Sequence, residues 1–185
     1  MSAPPILETG RLRLREHRAS DLEDYAAMWA DPRVTRFIGG QPMSREQAWV
    51  RLLRYRGMWV MLGFGFWAIE DRETGRFLGE AGVHELQRDI RPRLAGTLEA
   101  GWGLIPQAHG RGLAREAMRA VLGWADDAFP DRAQTCIIAE PNAPSIRMAA
   151  DLGFRDRPHG LPRRRHDPVR ALAGCPGTSL NRHDL

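Results

Sequence analysis

The segment richest in chemical possibility is His109-Gly110-Arg111-Gly112-Leu113-Ala114, which follows a strand pattern closed by Pro106 and opens a helical one. Glycines on either side of Arg111 let a ligand approach the main chain with no Cβ in the way. A strand-to-helix turn of this kind can point successive N–H groups outward at the positive end of a helix dipole. That suits an anion such as a pyrophosphate. On glycine spacing alone it reads equally as an ordinary tight turn. No Gly-Lys-Ser/Thr follows, so it is not a Walker A loop, and the G-x-G-x-x-G dinucleotide fingerprint is not met. Titratable groups stand just upstream. Glu99 begins the strand that leads into the turn, and Glu80, His84 and Glu85 lie on the strand before that. A carboxylate there can take a proton from an attacking nucleophile, or simply be a solvated strand-start glutamate. Asn142 and Ser145 open the last helix, where an amide and a hydroxyl serve as caps or as ligand contacts. Cys136 sits in an apolar run and reads as core rather than nucleophile.

The elements that must position these residues follow from periodicity. Arg11 to Arg15 alternates polar and apolar, a half-buried strand. Ser20-Asp21-Leu22-Glu23 has the spacing of a capping box before a helix reaching Trp29, which Asp31-Pro32 ends. Ser44 to Gln47 is a second box, opening a helix to about Arg56. Phe64–Ile69 and Arg76–Val83 read as a hairpin turning through Asp71 to Gly75. Leu98–Ile105 is a further strand. A helix from Gly112 to Ala128 places Leu113, Ala117, Val121 and Trp124 on one face. Thr135–Ala139 is a short buried strand, and Pro144–Leu152 a helix closed by Gly153.

Length and composition allow one domain of α/β size: 185 residues, 43% of them hydrophobic. No run of 18 apolar residues occurs, so no membrane span is expected. No basic-then-apolar leader precedes Leu7, and two cysteines build no disulfide scaffold; a reducing cytoplasm is the expected location. The net charge is +4, and all 27 basic residues are arginine. Residues 1–154 hold 20 arginines and 20 acids, whereas 155–185 hold seven arginines and three acids. The basic excess therefore lies entirely in the tail, and a nucleic-acid partner, not expected here, would depend on it.

Glu99-Ala100-Gly101-Trp102-Gly103-Leu104-Ile105-Pro106 before the turn, Asn142-Ala143-Pro144-Ser145 and Leu152-Gly153-Phe154 after it, and Leu12-Arg13-Leu14-Arg15 at the start together resemble the GNAT superfamily of acyl-CoA-dependent N-acetyltransferases. Asp31 to Phe37 adds a further match. The RimJ/RimL-like branch is the most similar, and the resemblance covers Leu7 to Phe154. It implies a mixed α/β sheet flanked by helices, with acetyl-CoA as co-substrate and no metal. It implies that Arg111, Gly112, Leu113 and Ala114 cradle the CoA pyrophosphate, although His109 stands where the family has Gln or Arg. Leu104 and Ile105 would pair their main chain with the pantetheine arm where the strand splays from Thr135–Ala139, and Asn142 would contact the arm or cap its helix. Arg115, Arg119 or Arg147 would meet the ribose phosphate or be solvated helix surface. Glu99 matches the family's E-x-G-Y/W strand and becomes the candidate base, with Glu80, His84 and Glu85 as alternatives. The family's acid tyrosine falls at Ala149 and is missing, so Ser145 becomes the candidate acid or thiolate contact, or is simply a first-turn helix hydroxyl. Arg36, Phe37, Trp59, Phe66 and His84 are candidates for the acceptor wall.

The implied function is transfer of acetyl to a primary amine, either a protein N-terminus or a small-molecule amine, by a monomer or homodimer. A non-catalytic acyl-CoA-binding relative is the alternative. The domain is expected to occupy 1–154. From Arg155 onward the prolines at 158, 162, 168 and 176 and the run Arg163-Arg164-Arg165 oppose a strand and read as loop or disorder, where the family finishes with a β-hairpin. Shifting the reading frame by one nucleotide from Pro158 to Leu172, with third bases free, permits R-T-A-Y-R-G-D-A-M-T-L-Y-E-R, which resembles that hairpin. Two readings of 155–185 therefore stand, an atypical tail and a shifted frame, and either one bares a sheet edge.

Overall fold

The computed structural model describes residues 3–87 and 94–155 and the backbone of 171–172. In chain order the strands are β1 (Leu7–Glu8) and β2 (Leu12–Arg15), followed by helices α1 (Leu22–Ala30), α2 (Pro32–Thr35) and α3 (Arg45–Leu62). Strands β3 (Phe66–Asp71), β4 (Phe77–His84) and β5 (Leu98–Leu104) come next. The chain then forms α4 (Leu113–Ala128), β6 (Gln134–Ile137), α5 (Ala143–Asp151) and β7 (Ala171–Leu172). The strands lie side by side in sequence order, antiparallel from β1 to β5 and parallel from β5 to β7.

Strand alternation divides the core into two layers. Trp67, Ile69, Ala81, Val83 and Ala100 face α4 and pack against Leu113, Ala117, Met118, Val121 and Ala125. Phe66, Ala68 and Phe77 face the other way, onto Tyr25, Trp29, Leu52 and Tyr55 of α1 and α3. The same face of β4 and β5 carries Glu80, Gly82 and His84 opposite Gly103, Gly101 and Glu99. The glycines let aromatic rings close onto the sheet: a Cβ at Gly101 would stand 2.8 Å from Phe66 and one at Gly103 3.6 Å from Trp29.

The Ser44 capping box forms, with Ser44 Oγ accepting the Gln47 N–H at 3.2 Å and Gln47 Oε1 accepting the Ser44 N–H at 2.8 Å. Helix α3 continues past the expected Arg56 to Leu62 and ends at Gly63 in the left-handed region, φ 75°. Its second half is retained by tertiary packing: Met58 and Trp59 are buried, and Trp59 Nε1 donates to Phe66 O at 3.0 Å. The box expected at Ser20 does not form. Asp21, the residue after it, turns its carboxylate onto the Arg15 guanidinium and the Arg18 N–H, and a single tight turn, Ala19–Asp21, leads into α1. Asp31 ends α1 as expected and also caps α2, accepting the Arg33 N–H at 2.8 Å. In the tail, Ala171–Leu172 pair with Cys136–Ile137, a short strand that its flanking prolines argued against. Residues 156–170 and 173–185, which hold the Arg163–Arg165 run, lie outside the described residues.

Candidate active site

The site grows from the way β5 meets β6. Their ladder runs only from Leu98–Gln134 to Ala100–Cys136, while β5 continues to Leu104. Beyond Ala100 the two strands part. In an antiparallel pair the N–H and C=O of one residue point to the same side. The Ile105 N–H donates to Leu78 O at 2.9 Å on the β4 side, and the Leu98 N–H donates to Ala133 O at 2.8 Å on the β6 side. By that alternation Trp102 and Leu104 turn their main-chain groups toward the gap. Leu104 thus faces the gap, whereas the Ile105 N–H is committed to β4. Trp102 was not singled out in the sequence, because its register is set by pairings that one strand alone does not display.

At the wide end of the gap lies the glycine turn. Gly110 (φ 72°) and Gly112 (φ 74°) are both left-handed, a conformation that favours glycine. His109 fastens the turn to the strand through a 2.8 Å hydrogen bond between its Nε2 and Leu104 O. Gly112 immediately precedes the sixteen-residue α4 and brings no side chain to cap it. Leu113 is buried in the core, Ala114 is half-buried, and Arg111 is exposed. The first-turn amides of α4 therefore present a positive helix end beside the gap, a site able to hold an anion. A groove of about 590 Å³ beside it is lined by Arg11, Gly112, Arg115, Glu116 and Arg119. Arg115 is ion-paired with Asp151 of α5.

At the closed end stands Glu99, one residue before the last rung of the ladder. It is 8% exposed, and its Oε1 lies 3.1 Å from His84 Nε2. Both line a small cavity of about 20 Å³ together with Thr97 and Glu85, space for about one water molecule. Phe66 reaches the same place, its ring 5.2 Å from that of His84. Phe66, His84 and Glu99 are thus brought together. Arg36 and Phe37 are not: they follow α2, with the guanidinium 4.9 Å from the Phe37 ring, and the adjacent Ile38 leans over Gly103 at the other end of β5. Trp59, the remaining wall candidate, packs with Trp67 and Trp124 in the α4-side core.

Asn142 caps α5 by accepting the Ser145 N–H at 3.3 Å, and Ser145 is half-buried in that first turn. The chain reaches α5 directly from the free end of β6, which sets Asn142 and Ser145 on the β6 side of the gap. Ala149 is 1% exposed and packs in the core. Cys136 is buried, and burial foremost, then the charge of Glu99, pushes its thiol up to about 12, consistent with a core residue.

Two alternative bases are engaged elsewhere. Glu80 is fully buried, accepting from Tyr25 Oη at 2.8 Å and Arg51 Nη2 at 3.2 Å, with His17 Nε2 3.6 Å away. Burial raises its carboxyl above the usual range, and Arg51 and Tyr25 offset this only in part. Glu85 is paired with Arg132 and accepts the Gly96 N–H at 3.0 Å; these contacts outweigh burial and hold it below the usual range. His17 carries no sequence signal that would mark it, yet it is buried against Tyr25 and Tyr55.

The profile of the acetyltransferase (GNAT) domain matches residues 11–155. The uncharacterized N-acetyltransferase YoaA of Bacillus subtilis is 30% identical over 152 residues, covering 82% of this chain and 83% of its own. A solved structure described as a GnaT-family acetyltransferase from Bordetella pertussis is 34% identical, with TM-score 0.72, and 82% of this chain and 89% of that one are covered. An acetyltransferase structure from Agrobacterium tumefaciens is 28% identical, with TM-score 0.75 and coverage of 91% and 92%. With its open β5–β6 edge, its glycine turn before α4 and these relatives, the chain belongs to the GNAT acetyltransferase family.

Proposed function

We propose that the protein transfers acetyl from acetyl-CoA to a primary amine by direct attack in a ternary complex. The observation that carries this reading is the gap between β5 and β6, with an anion-binding helix end at its mouth and a buried carboxylate at its apex. The pantetheine arm would lie along Trp102 and the Leu104 N–H like an added strand, the Leu104 carbonyl being held by His109. The pyrophosphate would rest on the amides of Arg111 to Ala114. The acceptor nitrogen attacks the thioester carbonyl, and its proton passes to Glu99. The tetrahedral intermediate collapses, the C–S bond breaks, and the CoA thiolate leaves, accepting a hydrogen bond from the Ser145 hydroxyl, while the proton held by Glu99 passes to it through solvent. No covalent enzyme intermediate is needed. The RimJ/RimL resemblance favours a protein N-terminus as acceptor, and a small-molecule amine fits the same chemistry. The catalytic domain is taken as 1–154 and the location as cytoplasmic.

Acetyl-CoA at about 100 times its Kd stabilises the folded chain by about 2.7 kcal/mol, which a thermal melt reads as a rise of several degrees. No shift at saturating donor overturns the reading. Glu99→Gln then lowers kcat by about 100-fold or more while leaving the donor Kd unchanged. Unchanged turnover removes Glu99 from the role. Ser145→Ala slows turnover less, because CoA thiolate is a tolerable leaving group.

A further inference from the structure

The N-terminal edge of the sheet reaches across to the glycine turn. Arg11 lies between β1 and β2, 100 residues before Arg111 in sequence, and its Nη1 donates to Arg111 O at 3.0 Å. Its Nε donates to Glu116 Oε2 at 2.7 Å, its Nη2 lies 2.6 Å from the same oxygen, and its backbone N–H donates to Oε1 at 2.9 Å. Thr9 Oγ1 donates to Glu116 Oε1 at 2.6 Å. Glu116 stands in the first turn of α4, so all its partners converge at the anion-binding end of that helix.

His109 fastens one side of the turn to β5, and the two glycines themselves pack on little. Among the described residues nothing lies within 4 Å of where a Gly110 Cβ would be, and at Gly112 the nearest atom is Arg11 Nη2 at 3.8 Å. Arg111 C=O and Gly112 N–H share one planar trans peptide and point opposite ways. Holding the carbonyl toward Arg11 therefore aims the Gly112 N–H away from it.

We propose that Arg11 is a positioning residue for the acetyl donor: held by Glu116, it grips the Arg111 carbonyl and fixes the turn whose amides receive the pyrophosphate. This rests on the acetyl-CoA reading. The Arg11 charge is offset by Glu116, so the pair acts through geometry rather than by attracting the anion. An Arg guanidinium bridges two acceptors with a rigid fork that a lysine ammonium cannot reproduce.

The test uses the full chain and its Arg11→Ala, Arg11→Lys and Glu116→Gln variants, with the CoA Kd by calorimetry and steady-state kinetics with acetyl-CoA. Arg11→Ala and Glu116→Gln are expected to raise Kd and KM about tenfold, the effect of losing one charge-assisted contact network. At saturating donor kcat stays within about twofold, a split that a merely structural role would not give. Arg11→Lys, which keeps the charge and most of the packing, falls between wild type and Arg11→Ala. Melting curves confirm that each variant is folded, and Arg11→Lys carries the test if the alanine variant is not. Unchanged Kd in all three overturns the proposal, as does a kcat that falls as far as KM rises. If Glu116→Gln binds CoA as well as or better than wild type while Arg11→Ala loses affinity, Arg11 contacts phosphate directly and positioning is wrong. Wild type that binds no CoA overturns the donor reading itself, and this proposal with it.

Discussion

Replacing Gly101 with alanine would place a methyl carbon 2.8 Å from Cζ of Phe66. Carbon atoms in contact prefer about 3.5–4.0 Å, so the ring must retreat by roughly 1 Å. It has no free path. The Tyr55 ring is stacked on it at 4.3 Å and 9°, and the space at Gly82 is so close that a Cβ there would stand 2.4 Å from Phe66 Cα. Gly101 is not among the residues with positive φ, so alanine is acceptable to the backbone and the cost is steric. Overpacking of this kind costs about 1–3 kcal/mol, and with the ring enclosed we expect about 2. For a chain of this size that lowers Tm by about 4–8 °C. In a Phe66→Leu background the clashing atom is gone, and the same substitution should cost less than about 0.5 kcal/mol, a coupling near 1.5. Urea unfolding of the four proteins, followed by tryptophan fluorescence and circular dichroism, measures the cycle. Because His84 touches both Phe66 and Glu99, turnover of Gly101→Ala should fall as well. Equal costs in the two backgrounds, or none in wild type, would refute the reasoning.

Glu80→Ala strands the Arg51 guanidinium and the Tyr25 hydroxyl in the interior and should cost about 3–5 kcal/mol in urea unfolding, with Glu80→Gln costing less because it keeps an acceptor for Tyr25. His17 should make the protein acid-sensitive. Burial lowers its pKa from 6.5 to about 4, so the folded state binds fewer protons than the unfolded state. Its contribution is fully present above pH 6.5 and is lost as pH falls toward 4, up to about 3 kcal/mol. Urea midpoints between pH 7.5 and 4.5 should slope in wild type and flatten in His17→Phe; parallel slopes exclude His17 as the cause. Finally, replacing the fourteen residues 158–171 with the shifted-frame string R-T-A-Y-R-G-D-A-M-T-L-Y-E-R should raise Tm by several degrees if the shifted frame is the native one, and no rise counts against it.

The sequence made the positions of the main elements legible because strong apolar alternation and helical spacing mark them. Its errors fell where long-range contacts override local signals. Asp21 follows the Ser20 capping position but is recruited by Arg15, six residues back, and α3 outlasts its periodicity because Trp59 is held by β3. The glycine turn was legible from its residue types, whereas its Arg11 tether is not, since nothing in the local sequence joins residues 100 positions apart. The same holds for Trp102, whose main chain faces the gap only because of pairings made by β4 and β6.

The open edge of β5 also bears on how such an enzyme can change. What Trp102 and Leu104 offer at the gap is main chain, which every residue but proline supplies alike. The opposite face of β5 is bounded by rings from α1, α3 and β3 crossing a glycine floor, where each side chain sets a local dimension. Drift in residue identity therefore weighs unequally on the two sides of one strand. If the donor lies at that edge as proposed, its recognition persists through many substitutions, while a single ring exchange reshapes the pocket on the glycine floor.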